Sequence, residues 1–151
     1  MRAPVLYIPH GGGPLPILGD PAHADITRFL RDIPAQLGDV KAVLVLSAHW
    51  EERVPTVMTA ARPGMLYDYF GFSPESYEFQ YPAPGAPGLA GKVSELLTEQ
   101  EIEAACDDVR DFDHGVYIPM MLMYPEANVP TLQLSLSSSL DPNLHYRIGE
   151  A

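Results

Sequence analysis

Basic residues are scarce: nine Lys and Arg stand against 20 Asp and Glu, a formal net charge of -11. Nucleic-acid binding needs a cationic footprint that displaces counterions, so the composition argues against that class. It argues equally against docking on an anionic membrane. There is one cysteine, Cys106, so no intrachain disulfide can form, and a cytoplasmic location is expected. No stretch approaches the roughly 20 apolar residues of a membrane span. The apolar run after Arg2 breaks at Pro9 and is too short for a secretory signal. Internal repeats and an evident domain linker are also lacking. No G-x-G-x-x-G is present, and no Lys-Ser/Thr follows Gly11-Gly12-Gly13, so that loop is a weak phosphate cradle.

What is present is an ordinary globular composition, 46% hydrophobic and 19% charged over 151 residues. That length suits one domain burying about 70% of its unfolded surface. Sixteen prolines and twelve glycines are scattered through the chain, singly apart from Gly11-Gly12-Gly13, and read as loop punctuation. The organising stretch is Val43-Leu44-Val45-Leu46-Ser47-Ala48-His49-Trp50-Glu51, an apolar run ending in a histidine, an indole and a carboxylate. Such a run reads as a buried strand, its polar end placed where open α/β sheets bind ligands. Residues 5–8 repeat the design: an apolar strand pattern runs into Pro9-His10-Gly11-Gly12-Gly13-Pro14.

The pattern predicts strands over 5–8, 40–47, 54–60, 102–106 and 129–137, with a short one at 77–81. Helices are expected from Asp20 or Pro21 to about Leu37, over 87–98, over 116–123 and from Pro142 onward. Asp20 and Asp113 are candidate N-caps. His23, in the first turn of its helix, is expected at the surface. The fold class is therefore α/β: a single domain with a central mostly parallel or mixed sheet flanked by helices. The last helical pattern stops at Ala151 without a convincing cap, so the chain is expected to be truncated at its C-terminus. A sheet lacking later strands would expose apolar surface, which predicts self-association into a homo-oligomer or coverage by other residues.

Three histidines have loaded surroundings: His10, His49 and His114. Imidazole suits iron, zinc, copper and nickel. Spacing alone leaves a shared metal site and hydrogen-bonded structural histidines both open. Glu51 and Asp113 are the candidate carboxylates. Residues 62–84 are dense in aromatics and turn formers, and read either as a surface segment anchored by its rings or as a wall over a site for a flat substrate.

Five motifs then occur in order: Pro9-His10-Gly11-Gly12-Gly13-Pro14, Ser47-Ala48-His49-Trp50-Glu51, Tyr81-Pro82-Ala83-Pro84-Gly85, Asp113-His114-Gly115 and Gln133-Leu134-Ser135. Together they resemble the class III extradiol ring-cleavage dioxygenases, in the DOPA-dioxygenase-like branch. The resemblance implies that residues 1–151 are the N-terminal part of an extradiol dioxygenase catalytic domain. It implies His10 and His49 as metal ligands, His114 as a catalytic residue near substrate and oxygen, and Fe(II) as the metal, with Zn(II) in some members. It implies a small aromatic diol and O2 as substrates, with Tyr67, Phe70, Tyr81 and Asp113 as substrate-binding residues. The family's later motifs, which carry a further active-site histidine and the last metal ligand, are not matched, and His145 fits neither. Weak metal retention and an incomplete or inactive site are therefore expected of these 151 residues alone. The alternatives are a non-catalytic binding protein on the same fold and, ranked lowest, a zinc-dependent hydrolase, for which no nucleophile or oxyanion arrangement is evident.

Overall fold

Thr131–Ser137 alternates leucine with polar residues, and both sets are buried. That pattern belongs to a strand with neighbours on both sides and cover on both faces. The structure, a computed structural model, describes residues 3–151. Among the described residues one mixed sheet forms from β1 (Val43–Glu52), β2 (Thr56–Met58), β3 (Ala105–Asp107) and β4 (Thr131–Ser137). The order is β1-β4-β2-β3. β1 runs parallel to β4 and β2 parallel to β3, while β2 meets β4 antiparallel. The expected mixed α/β sheet is present, with β4 inside it.

The helices are α1 (Ala24–Asp32), α2 (Pro34–Leu37), α3 (Pro87–Glu99), α4 (His114–Met123) and α5 (Pro142–Glu150). Prolines open α2, α3 and α5, where the missing N–H costs no helical bond. α4 is apolar nearly all round, and it is buried nearly all round. Its Val116, Tyr117 and Ile118 join Phe112, Leu132, Leu134 and Val57 in the main core. Leu122 and Met123, near its other end, pack on Leu30 and Ile33 of the α1 region. No helix among the described residues is long and apolar enough to cross a membrane.

Several expectations are corrected. Residues 5–8 form no strand. A strand needs a ladder for its backbone, and this run finds none among the described residues, leaving Val5 and Tyr7 fully open to solvent. β1 is an edge strand and not the buried centre, so Leu44 and Leu46 are exposed. β1 also runs on to Glu52 with a break in register. Leu46 pairs with Leu134 and Glu51 with Leu136, so Ser47 to Trp50 bulge away from a single facing residue. Such bulges re-aim side chains, and this one carries His49. The expected strand at 77–81 is absent: a 3-10 turn occupies Pro74–Tyr77. Asp20 does not cap with its side chain; its carboxylate meets His23, which is only 19% exposed and not at the surface as expected.

Candidate metal centre

His10 sits in the irregular glycine loop, His49 on the β1 bulge and His114 in the first turn of α4. The fold brings the three rings together. One nitrogen from each lies within 4.8 Å of the other two. His49 Nε2 and His10 Nε2 are 2.8 Å apart. The His114 ring centre is 4.0 Å from that of His49 and 4.7 Å from that of His10. Glu51 is exposed on β1 and takes no part in this group.

The His114 ring and the backbone beneath His49 are each tied to groups that the chain brings from afar. Asp68 Oδ1 accepts two hydrogen bonds from His114, from the ring Nδ1 (2.8 Å) and from the backbone N–H (3.0 Å). With Nδ1–H given to a carboxylate, the lone pair of His114 lies on Nε2, the nitrogen left for the other histidines. His49 donates its backbone N–H to Ser47 Oγ (3.2 Å), and the Ser47 hydroxyl donates to Asp113 Oδ1 (2.7 Å). Asp113 Oδ2 accepts from Arg110 Nη2 and from Gln133 Nε2, each at 3.1 Å. Arg110 in turn lies over the Trp50 ring, 4.7 Å from its centre. Gly115 is required by contact: a Cβ there would stand 2.7 Å from both His49 Cδ2 and Ser47 Oγ.

Burial disfavours the charged forms of His10 and His49. Burial, then the charges of His114 and His49, pushes the His10 pKa down to about 4. Burial and His114 lower His49 in the same way. Burial alone would raise Asp68, but its hydrogen bonds from the His114 ring and backbone outweigh this and hold it below the ordinary carboxylate value. Neutral imidazole is the metal-binding form. The Nε2–Nε2 contact of His10 and His49 also needs a proton on one of the two nitrogens, and a bound cation would take that proton's place.

This sets a pH dependence for the metal-free protein. The unfolded chain protonates this imidazole at its ordinary value of 6.5, and the folded chain only near 4. Between those values the unfolded state binds more protons, so stability rises with pH there. The thermal midpoint is expected to fall as pH drops from about 6.5 to about 4, and His10→Gln is expected to flatten that slope. A midpoint that climbs on acidification through this window would contradict the arrangement.

The other expected site residues are placed differently from one another. Tyr67 gives its hydroxyl to the Phe79 carbonyl and sets its ring edge-on to Tyr69, Tyr77 and Tyr117. Phe70 is 90% exposed. Tyr81 lies inside the core instead of on an open wall, its hydroxyl donated to the Tyr124 carbonyl. Asp113 has no exposed surface, and both its oxygens are engaged below the histidines. The aromatic ring that reaches the centre is Tyr69, 5.7 Å from His114 between ring centres. Sequence reasoning missed Asp68 and Tyr69. Their only signal was a place in the aromatic segment, and nothing local ties position 68 to position 114.

Known proteins share this sequence over most of its length. The family described as the catalytic LigB subunit of aromatic ring-opening dioxygenase matches residues 3–151. The chain is 43% identical to dioxygenase tasH of Hapsidospora irregularis over 99% of its length and 48% of that relative. It is 39% identical to a 4,5-DOPA dioxygenase extradiol of Mirabilis jalapa over 96% of its length and 54% of that relative. A crystal structure of an uncharacterized Escherichia coli K12 protein aligns with a TM-score of 0.64 at 34% identity, covering 80% of this chain and 44% of that one. The chain thus spans about half the length of the curated relatives it matches.

Proposed function

We propose, from the premise that this chain belongs to the family of the catalytic LigB subunit of aromatic ring-opening dioxygenase, that residues 1–151 are the N-terminal part of a metal-dependent extradiol dioxygenase domain. Its substrates would be a small aromatic diol and O2. The observation that carries the reading is the convergence of His10, His49 and His114, three motif residues far apart in sequence, on one point. A cytoplasmic location belongs to the same reading and is supported by the single cysteine. The exposed apolar residues at 5–7 and on β1 support self-association.

The donor set fits a metal. Three imidazoles face one another, and burial keeps His10 and His49 neutral. Fe(II) is the metal of choice, because ring opening by O2 moves electrons and Zn(II) has no redox chemistry. When bound at His10 and His49, the metal would serve as template and Lewis acid for the diol and for O2.

The chain's own residues supply the rest. His114 would take a phenolic proton at Nε2, and Asp68, bonded to Nδ1, would stabilise the resulting imidazolium. Asp68 also fixes the tautomer, so the accepting nitrogen needs no rearrangement before the proton moves. Tyr69 would pack against the substrate side of His114. Its hydroxyl is raised above the ordinary tyrosine value by burial and stays protonated near neutral pH. Two metal-binding imidazoles are few, so residues 1–151 alone are expected to hold metal weakly and to turn over little. The test loads a form with the length of its relatives with Fe(II) under argon, then adds catechol or DOPA and O2. A yellow ring-opened semialdehyde is the expected product. Iron bound without colour overturns the reading.

A further inference from the structure

We propose that His23 is a positioning residue for His10: it pins the glycine loop through the Gly12 amide, and Asp20 sets the tautomer that lets it do so. The inference rests on the reading of His10 as a metal ligand. His10 belongs to no helix or strand, and its buried Nδ1 has no protein partner. Apart from the His49 ring it meets at Nε2, its place is set by the loop backbone from Pro9 to Gly13. Among the described residues that backbone has one side-chain hydrogen-bond anchor. The Gly12 N–H donates to His23 Nε2 at 3.0 Å. His23 Nδ1 faces the Asp20 carboxylate in a hydrogen-bonded pair. A carboxylate accepts only, so Nδ1 carries the proton and Nε2 is left as the acceptor that Gly12 needs.

The loop is shaped to the ring. Gly11 has φ +84°, and a Cβ on it would stand 2.7 Å from His23 Cδ2 and 2.8 Å from Pro16 Cγ. A Cβ on Gly12 would come 3.4 Å from His23 Nε2. Two consecutive glycines thus lie directly against this imidazole, which is only 19% exposed. The chain of contacts runs from Asp20 to His23, from His23 to Gly12, and from Gly12 through two peptide units to His10.

The test compares His23→Ala, His23→Asn and His23→Gln. A glutamine carbonyl reaches about where Nε2 stands, and an asparagine carbonyl stops near Nδ1. In the metal-free protein, Gly12 amide exchange is expected to quicken at least about 10-fold in the alanine and asparagine variants and to stay near wild type in the glutamine variant. Ring contacts between His10 and His49, read by NMR, are expected to weaken in the same two variants. Co(II) affinity is expected to fall about 10–100-fold in them, the usual cost of losing a partner behind a metal ligand, and to recover with glutamine. Unchanged Gly12 exchange with intact His10–His49 contacts in the alanine variant overturns the proposal, as does equal loss in all three. A wild type that binds no Co(II) removes the metal centre proposed above, and the metal-free measurements then decide the role of His23. If the alanine variant does not fold, the asparagine and glutamine pair gives the same contrast.

Discussion

His49→Ala is expected to lower divalent metal affinity by more than about 100-fold, beyond the 10–100-fold that loss of a mere supporting partner costs. His49 and His10 meet nitrogen to nitrogen at 2.8 Å, so removing one ring leaves the other without its facing donor. His114 cannot replace it freely, because Asp68 holds that ring through Nδ1 and through the backbone N–H. The fold should survive the change. His49 lies on an exposed stretch of the edge strand. Titration with Co(II) against a chromophoric chelator measures the loss, and circular dichroism checks that the variant is folded. Stoichiometric metal retained by a folded His49→Ala protein would refute the ligand assignment.

Asp113→Ala should be the most destabilising single change near the site. The carboxylate has no exposed surface and accepts from Ser47, Arg110 and Gln133. Without it, the Arg110 guanidinium loses its ion-pair partner while its side chain is only 17% exposed. Gln133, fully buried on β4, loses its acceptor too. Breaking a buried pair in this way costs about 3–5 kcal/mol. The residual exposure of Arg110 lets water return, which places the expected value near the lower end, about 3 kcal/mol. For a chain of this size that is a fall in thermal midpoint of roughly 6–12 °C. Asp113→Asn keeps an oxygen for Ser47 and should lose less. Calorimetry on both variants measures the difference. An alanine variant as stable as wild type would show that the network contributes little.

The site was legible in the sequence as far as its three histidines, because each stands in a short motif whose neighbours constrain it. Gly115 is one such neighbour, required by the approach of His49 and Ser47. The groups that orient those rings were not legible. Asp68 and His114 are 46 positions apart, and Ser47 and Asp113 are 66 apart. No local pattern couples residues at such separations. Asp113 meets the same limit: an acidic residue beside a histidine looks alike from sequence whether it points out or, as here, is buried. His23 read as a surface residue because its ring and the Gly12 amide meet only after the loop folds back over the first helical turn.

The sequence by itself determined the α/β character, since apolar runs of strand length alternate with amphipathic helical stretches. It determined that β4 is a strand and that α4 is an apolar helix opening at His114. The tertiary structure alone decided that β4 is central and that β1, despite its opening apolar run Val43–Leu46, lies at the edge. Strand position depends on which backbones find ladder partners, and hydrophobicity alone does not choose among them. It alone decided that β1 breaks register between Leu46 and Glu51. That bulge turns His49 from the end of a strand into one side of a three-histidine centre, because a shift in pairing re-aims every side chain within it.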